Sequence, residues 1–246
     1  MASGTKPLVS ILTPTYNRRA FIPNIIACVL HQTYPADRLE WVVLDDGTDP
    51  VWDLLEPYAQ SGRINIRYIR HEEKLNIGAK RNRIHAAARG EILVNMDDDD
   101  YYPPERVAYA VTTLRSSRRQ ICGSTTLHLY FTDDASIWTV GPFGANHATF
   151  GTMAYTREYA RTHRCDETVL HAEEVEFTRR YTEPLAQLDP MKVMLVMCHS
   201  NNTYDKRGLR TATNPTVRRT AFKLTQFIRD GAMRRRWLAP SSGDAP

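Results

Sequence analysis

The sequence predicts an α/β fold in which a mostly parallel central sheet is flanked by helices. Short apolar segments alternate with segments of helical periodicity through residues 8–107, which is typical of parallel strands joined by right-handed crossovers. Polar clusters directly follow three of the apolar segments, as expected where strands end at a ligand-binding edge. An apolar fraction of 42% is enough to build the core that such a sheet needs.

The first half of the chain is predicted to contain four strands and three helices. Pro23 suits the first turn of the first helix, and Gly90 suits the stop after the third. Apolar runs bounded by turn residues delimit the strands. The strands are predicted at 8–14, 41–47, 64–69 and 91–97, and the helices at 21–30, 50–60 and 77–89.

The alternation weakens after Pro104, and a mixed second half is predicted. Residues 120–131 and 136–141 have the pattern of two strands that form a hairpin. Residues 173–183 have helical periodicity, and residues 191–200 are a further apolar strand. We expect this half to hold a second substrate.

Net charge is unevenly spread along the 246 residues. The whole chain carries +4, but residues 207–246 contain nine Lys/Arg and two Asp/Glu, a local +7 that leaves about −3 on residues 1–206. A body of that charge is unlike a specific nucleic-acid-binding domain, for which a basic surface is expected. Only the C-terminal segment is basic.

The cysteines and the N-terminus indicate an intracellular protein. Four cysteines stand far apart without a C-x-x-C pair, and Cys28 lies in an apolar helical pattern, which favours buried thiols over a disulfide framework. The segment MASGTKP contains no apolar leader, and no apolar stretch reaches the length of a membrane span. We expect a cytoplasmic protein that is soluble or at most peripheral to a membrane.

Four consecutive aspartates, Asp97 to Asp100, follow the apolar run at 92–94. Carboxylates this close repel one another unless a cation neutralises them, and Mg²⁺ or Mn²⁺ takes oxygen ligands together with substrate phosphates. The alternative is a solvated acidic turn. A metal site is favoured because the run adjoins an apolar strand and is followed directly by Tyr101 and Tyr102.

A family pattern is carried by five segments: ILTPTYNR (11–18), HQTYP (31–35), VVLDDGTD (42–49), LNIGAKRN (75–82) and GEILVNMDDDDYYPP (90–104). In order and spacing they resemble the family 2 glycosyltransferases that have a GT-A fold. The resemblance is dense over residues 8–107 and thinner to about residue 200. It implies an inverting transfer of sugar from a nucleotide sugar, with Mn²⁺ or Mg²⁺ as cofactor.

The resemblance assigns the first two polar clusters to the nucleotide. The turn Pro14-Thr15-Tyr16 matches the loop that cups the uridine. Asp46 matches the residue that accepts a hydrogen bond from the base, and Asp45 is expected to support the loop.

The segment that begins at Asn76 matches the part of the family that approaches the base and the phosphates. Gly78 permits close approach to the backbone, and Arg81 offers fixed donors to phosphate or carbonyl oxygens. The alternative for Lys80 and Arg81 is a solvated helix face.

Asp97-Asp98-Asp99 resembles the DxD motif of the family. By that resemblance Asp99 binds the metal directly, Asp97 contacts the ribose or a metal-bound water, and Asp98 serves either role. His199 corresponds to a histidine that many GT-A enzymes place on the metal, with a structural role as the alternative. Asp100 is predicted to cap the following helix.

The candidate base lies in the second half. Glu174 falls where the family has a catalytic Asp, so its longer side chain is a departure, and Glu173 is the alternative. An ionised Glu can take the proton of an acceptor hydroxyl, and a helix start would favour its charge. Lys206 and Arg207 could add contacts to the phosphates. Candidates for an acceptor pocket are Trp138, His147 and Thr152. For Trp138, packing in the core is favoured.

The expected organisation is one catalytic domain over residues 1–210, with a nucleotide-sugar-binding half at 8–107 and an acceptor-side half at 108–210. A basic helical extension is predicted at 211–238, from an amphipathic pattern that starts at residue 215, and residues 239–246 are predicted to be disordered. The helix either packs on the domain, which we favour, or lies on an anionic membrane.

The sequence therefore predicts a metal-dependent glycosyltransferase with a nucleotide-sugar donor, most simply a UDP-sugar, and a glycan or glycoconjugate acceptor. A sugar-nucleotide pyrophosphorylase is a weaker alternative, because TPTYNRR contains no glycine for an activation loop. A non-catalytic sugar-binding module is also weaker, because the aspartate run and the candidate base are both intact. The sequence does not determine the sugar, the acceptor or the linkage.

Overall fold

The computed structural model describes residues 5–199, 206–211 and 214–238. Its strands are β1 (Val9–Thr15), β2 (Leu39–Asp45), β3 (Asn65–Arg70), β4 (Ile92–Asn95), β5 (Ile121–Gly123), β6 (Leu127–Phe131), β7 (Ser136–Val140), β8 (Ala154–Thr156), β9 (Ala186–Gln187), β10 (Val196–Cys198) and β11 (Val217–Arg219). Its α-helices are α1 (Ile22–Leu30), α2 (Trp52–Gln60), α3 (Ile77–Ala87), α4 (Arg106–Ser117), α5 (Arg157–Thr162), α6 (Glu174–Phe177), α7 (Leu224–Phe227) and α8 (Gly231–Leu238).

The centre of the fold is a seven-stranded sheet in the order β3-β2-β1-β4-β8-β5-β9. Strands β3, β2, β1 and β4 are parallel, and β8 is antiparallel to both of its neighbours. The predicted α/β fold with a mostly parallel sheet is therefore confirmed. Because β4 pairs with β8, strands from both predicted halves share this sheet.

A second sheet of four strands has the order β10-β6-β7-β11. Strands β6 and β7 form the predicted antiparallel hairpin. The single strand predicted at 120–131 is wrong in one respect: it divides into β5 in the large sheet and β6 in the small one. The chain turns between them, where Ser124 Oγ donates to the Thr126 carbonyl at 2.8 Å. The strand predicted at 191–200 is confined to the three residues of β10.

The core lies on both faces of the large sheet. Val9 and Ile11 belong to one apolar cluster with residues of α1 and α4, whereas Leu12 belongs to a second cluster with Ile84 of α3. This division follows from the alternation of side chains along a strand. All four cysteines are free and buried, as the sequence predicts for Cys28.

The helix predicted at 173–183 is shorter than expected, because α6 ends at Phe177. Arg179, Arg180 and Tyr181 all have positive φ values, of 47°, 57° and 60°. A left-handed conformation cannot continue a right-handed α-helix. The helical periodicity of this segment is therefore misleading beyond its first turn.

The prediction of a single long helix at 215–238 is also wrong. The chain forms β11, which pairs with β7, and then the short helices α7 and α8. Met233 and Trp237 of α8 are buried, and the Trp237 ring meets Tyr101 edge-on at 6.2 Å. The apolar positions therefore pack on the domain. Residues 239–246, predicted to be disordered, lie outside the described residues.

Among the residues that the structure describes, no helix is both long and apolar enough to cross a membrane.

Candidate active site

The ends of three parallel strands meet at one edge of the large sheet. Strand β1 lies between β2 and β4, and Thr15 is paired with Asp45 at the last position of both strands. The run Asp97–Asp100 follows the end of β4. The predicted convergence of the three polar clusters is therefore confirmed.

Asp46 and Lys80 form a buried ion pair at this edge. Lys80 Nζ lies 2.6 Å from Asp46 Oδ1, and the Leu75 N–H donates to Asp46 Oδ2 at 2.7 Å. The ammonium groups of Lys80 and Lys74 face the Tyr16 ring, 5.2 Å and 4.5 Å from its centroid. Lys80 therefore lies on the inner side of α3 and not on a solvated helix face, and the predicted base-binding residues are brought together.

Asp45 supports the loop that follows β2, as predicted. Its carboxylate accepts hydrogen bonds from the N–H groups of Gly47 and Val51, both at 2.9 Å. It also accepts one from the Tyr68 hydroxyl at 2.6 Å. Both oxygens of Asp45 are thus used within the loop, and Asp46 is the carboxylate of the two that pairs with Lys80.

The start of α3 packs against the loop at 166–167. Asn76 Nδ2 donates to the Glu167 carbonyl at 3.2 Å, and a Cβ atom at Gly78 would lie 1.8 Å from the Asp166 carbonyl oxygen. The sequence interpretation was that Gly78 allows a ligand to approach. In the structure the close approach is that of the protein main chain, so the glycine is required for packing.

Arg81 contacts acidic residues from both halves of the chain. Its guanidinium donates to both carboxylate oxygens of Asp97, at 2.7 Å and 3.1 Å, and Nε donates to Glu173 at 3.2 Å. It also stacks on Phe150, with 4.5 Å from Cζ to the ring centroid. The Arg81 donors, predicted to bind phosphate or carbonyl oxygens, therefore bind carboxylates in this structure.

The four consecutive aspartates have different surroundings. Asp97 is paired with Arg81, whereas Asp99 lies 3.5 Å from Arg18 Nη1 and 3.8 Å from His199 Nε2. Asp98 is buried, and burial together with the charge of Asp99 raises its pKa to about 8. The run therefore presents two carboxylates to cationic or polar partners and keeps the others inside.

Asp100 does not cap the next helix, which corrects the sequence prediction. The N-cap of α4 is Glu105, with no side-chain hydrogen bond. Asp100 instead accepts a hydrogen bond from the Met197 N–H at 3.0 Å, and burial raises its pKa well above the usual range. It thereby connects the aspartate run to β10, close to His199 along the chain.

The predicted metal ligands are Asp97, Asp99 and His199. Asp99 and His199 approach each other, and the His199 ring stacks on Phe21 at 4.5 Å. Buried Asp98 Oδ2 has no hydrogen-bond partner in the described part of the chain. Oxygen donors beside an imidazole suit Mn²⁺ or Mg²⁺. Within the described ranges no three His, Cys, Asp or Glu side chains already form a metal site.

Glu173 and Glu174 stand side by side but have different partners. Glu173 is buried and bound by Arg81. Glu174 is the first residue of α6, and burial, followed by the charge of Glu173, raises its pKa to about 7. Burial, followed by the charge of Glu174, raises the pKa of Tyr181, so the Tyr181 hydroxyl lies near this carboxylate. Because α6 has only four residues, its helix dipole stabilises the charge of Glu174 less than a longer helix would.

The remaining predicted residues lie in different environments. Trp138 Nε1 donates to Ser136 Oγ at 2.9 Å, and its ring packs against the core, in line with the favoured packing role. Thr152 is fully buried and its hydroxyl accepts from the Ser124 N–H at 2.9 Å. His147 is half-buried among aromatic rings.

Two basic residues assigned to the phosphates begin a short 3-10 helix at 206–210. Lys206 lies close enough to the aspartate run for its charge to oppose the rise in the Asp100 pKa, whereas Arg207 is exposed. The structure thus brings Lys206 towards the acidic cluster.

Two contributors to the site had no assigned role in the sequence analysis. Arg18 follows Asn17 directly in the TYNR segment, so the motif itself could have marked Arg18 as a site residue. No feature of the sequence marks Tyr181 in this way, because it lies in a segment whose pattern predicts a helix. Only the left-handed turn after α6 directs it towards Glu174.

Comparison with known proteins gives a consistent assignment. The model of the glycosyl transferase family 2 matches residues 10–170. Glycosyltransferase TuaG of Bacillus subtilis is 34% identical over 104 residues, which are 42% of this chain and 40% of TuaG. The chain thus spans less than half of that relative.

Solved structures share the fold. Mannosyltransferase PcManGT from Pyrobaculum calidifontis, in complex with GDP-Man and Mn²⁺, has a TM-score of 0.66 at 19% identity, over 95% of this chain and 68% of PcManGT. TarS 1–349 from S. aureus, in complex with UDP-GlcNAc, has a TM-score of 0.62 at 18% identity, over 79% of this chain and 59% of TarS. At these identities the likeness concerns the fold alone, which is that of GT-A glycosyltransferases.

Proposed function

The chain belongs to glycosyl transferase family 2, and from that premise we propose that it transfers a sugar from a UDP-sugar to a hydroxyl of a glycan, with inversion. One observation carries this proposal: Arg81 binds two carboxylates at once. Asp97 follows the end of β4, and Glu173 lies beside the candidate base. One guanidinium binds both carboxylates, which supports a transfer site with its donor side at Asp97 and its acceptor side at Glu173.

The donor side is supported by the cluster at the ends of β1 and β2. Asp46, which is paired with Lys80 in this structure, is the carboxylate proposed to accept a hydrogen bond from the base, and Tyr16 is the ring proposed to stack on the base. The solved TarS fragment is in complex with UDP-GlcNAc, which supports a UDP-sugar, whereas PcManGT is in complex with GDP-Man. The choice between the two nucleotides therefore needs a direct test.

Asp99, Asp97 and His199 are the residues that would hold Mn²⁺ or Mg²⁺. When bound, the cation would supply positive charge that stabilises the departing nucleoside diphosphate. Arg18 already lies 3.5 Å from Asp99, so this position attracts positive charge. The complex of PcManGT with Mn²⁺ supports the choice of metal.

Glu174 is the proposed general base. Its carboxylate takes the proton of the acceptor hydroxyl, and the oxygen forms a bond to the anomeric carbon. The bond from that carbon to the diphosphate oxygen breaks, and its electron pair leaves with the nucleotide. Glu173, held by Arg81, contributes negative charge that adds to the effect of burial in raising the pKa of Glu174.

Calorimetric titration of UDP and of GDP, each with Mn²⁺ and with EDTA, tests the donor and metal parts of the proposal. We expect metal-dependent binding of UDP that is lost in Asp99→Ala and kept in Asp37→Ala, whose side chain is 79% exposed and outside the site. Preference for GDP would change the donor. Failure of the folded protein to bind either nucleotide would contradict the proposal.

A further inference from the structure

The outer edge of the large sheet carries a groove apart from the aspartate run and the candidate base. Within the described part of the chain, β3 is the terminal strand of that sheet and is paired only with β2. A terminal strand has backbone N–H and C=O groups on its free side, and these can pair with a further strand. The groove beside β3 has a volume of about 680 Å³, and we call it the β3 groove.

The lining of the β3 groove shows that it follows the free edge of the strand. Five residues of β3 line it, together with Pro50 and Trp52 from the start of α2. The five include Ile66 and Arg67, which are neighbours in the strand, so their side chains point to opposite faces of the sheet. A groove lined from both faces lies along the edge between them. An extended peptide that adds a strand to a sheet binds at such an edge.

An aromatic pair forms the apolar part of the β3 groove. The ring centroids of Trp52 and Tyr68 are 5.3 Å apart, and both side chains are half-buried. The Tyr68 hydroxyl donates to Asp45 Oδ2 at 2.6 Å, which fixes the position of its ring before any ligand binds. This pair suits an apolar side chain of a peptide whose main chain is paired with the strand.

The side chains along this edge are positively charged. Residues 61–71 contain Arg63, Arg67 and Arg70 and no Asp or Glu. The Arg70 guanidinium donates to the Asp45 carbonyl at 2.9 Å. Arg67 lines the groove near the middle of β3, and its guanidinium makes no ion pair with the residues that the structure describes. Arg67 is therefore available to a carboxylate of a ligand.

The acidic residues of α2 and of the loop before it do not neutralise this charge. Asp49 and Asp53 are both bound by Arg19, at 2.9 Å and 2.8 Å. Glu56, one turn after Trp52, does not line the groove. Since hydrogen bonds between a guanidinium and a carboxylate are among the strong ones, the edge favours an acidic ligand.

A second copy of this chain fits the edge less well. Antiparallel pairing of β3 with itself would bring the arginines of the two strands together, and like charges opposite each other destabilise a sheet. Charged side chains on an edge strand also protect it from aggregation. That protection explains an arginine on β3, but it does not explain a groove with aromatic walls beside the strand.

We propose that the β3 groove binds an extended acidic segment of a partner protein, which adds to the large sheet as a further strand. The main chain of the segment pairs with β3, a carboxylate binds Arg67, and an apolar side chain packs against Trp52 and Tyr68. This surface is apart from the transfer site, so the inference stands whether or not the proposed function holds.

NMR titration of the isotope-labelled full chain tests the proposal. The probes are blocked heptapeptides in which glutamate alternates with valine, leucine, phenylalanine or tyrosine. We expect at least one to bind with a Kd below about 1 mM, to shift the amide signals of β3 and to slow hydrogen exchange there. Two matched peptides should bind at least about tenfold more weakly: one with lysine for each glutamate, and one with a central proline, which lacks a main-chain donor.

Substitutions in the groove give the second readout. Arg67→Gln should weaken binding of the acidic peptide about fivefold, as expected for the loss of one exposed ion pair. Trp52→Leu, which keeps apolar bulk, should weaken binding by a similar factor. Arg219→Gln is the matched control, because Arg219 is an exposed arginine of β11, the terminal strand of the small sheet. It should bind the peptide as the wild type does.

Several results would overturn the proposal. They are equal binding of the glutamate and lysine peptides, unchanged binding by Arg67→Gln, shifts confined to residues outside the β3 groove, and no binding of any acidic peptide by the folded protein. Protection of the β3 amides that increases with protein concentration, in the absence of peptide, would identify a second copy as the occupant and would also overturn it.

Discussion

At the scale of single residues, Arg81 connects the two halves of the candidate site. Its side chain is almost fully buried and binds Asp97 and Glu173, which come from distant parts of the chain. Removal of one partner of a buried ion pair typically costs about 3–5 kcal/mol, because the remaining charge is uncompensated. The site and the stability of the fold therefore depend on the same contacts.

The pH dependence of turnover tests the role of Glu174. Because its pKa is raised to about 7, the carboxylate form increases as pH rises through that value, and kcat/KM for the UDP-sugar should rise with it and then level off. Glu174→Gln should lower kcat by about 10²- to 10⁴-fold. Steady-state rates across this pH range provide the measurement.

Glu176→Gln serves as the control for that experiment, because Glu176 is exposed on the same short helix. It should keep the wild-type profile. A Glu174→Gln enzyme with unchanged rate and pH dependence would exclude Glu174 as the base and leave Glu173 as the candidate.

His85 should make stability depend on acidity. Its pKa is lowered to about 3 by burial and then by the charge of Arg81, and it contacts the Tyr155 hydroxyl at 2.6 Å. The unfolded chain takes up the proton near pH 6.5, so the stabilisation is complete above that pH and is lost as pH falls towards 3. The loss should reach about 2–3 kcal/mol by about pH 4.5.

Urea unfolding of His85→Gln measures this contribution. The variant should be less stable than the wild type near neutral pH, and the difference should shrink on acidification. His31→Gln, at an exposed histidine, should follow the wild type throughout. Parallel curves for the wild type and His85→Gln would show that folding does not lower the pKa of His85.

At the scale of elements, helix α3 organises the site through both of its sides. Lys80 and Arg81 lie at the sheet edge, while Gly78 and Asn82 contact the loop that leads to α6. Asn82 Nδ2 donates to the Cys165 carbonyl at 2.9 Å. One helix therefore sets the distance between the aspartate run and the candidate base.

Gly78→Ala tests that packing. The added Cβ would lie 1.8 Å from the Asp166 carbonyl oxygen, so the loop must move. We expect a loss of about 1–3 kcal/mol in the free energy of unfolding and faster proteolysis of the loop. Gly231→Ala is the control, because its nearest atoms are Arg side-chain nitrogens 3.7 Å away. A fully stable Gly78→Ala protein would contradict the tight contact.

At the scale of the whole molecule, the C-terminal segment is part of the domain. Strand β11 extends the small sheet, and α8 contacts α1, with Trp237 buried. Peripheral membrane contact stays a prediction. If it occurs, it would use the basic side chains of α8, such as Arg235, and not the apolar residues that are already packed.

Trp237→Ala should therefore destabilise the whole domain, by about 3 kcal/mol, since it removes a large buried side chain. Thermal unfolding with a single transition at a lower Tm would support this. Leu238→Ala changes the next residue, which is 50% exposed, and should have little effect. Equal effects of the two substitutions would indicate that α8 is not docked.

The sequence by itself determined the parallel strands β1 to β4 and the polar residues at their ends. Those features are encoded in short runs, where an apolar segment and the motif that follows it lie within a few residues. The same local information predicted the hairpin of β6 and β7 and the supporting role of Asp45.

Only the tertiary structure decided which side chains meet. The pairing of Arg81 with Glu173, the contact of Asp100 with Met197 and the row of Phe143, His147 and Tyr181 join residues that are far apart in the chain. Long-range packing also explains why the helices predicted at 173–183 and 215–238 differ from the structure. Local periodicity records which residues are apolar, whereas long-range packing sets the backbone conformation in which they are buried.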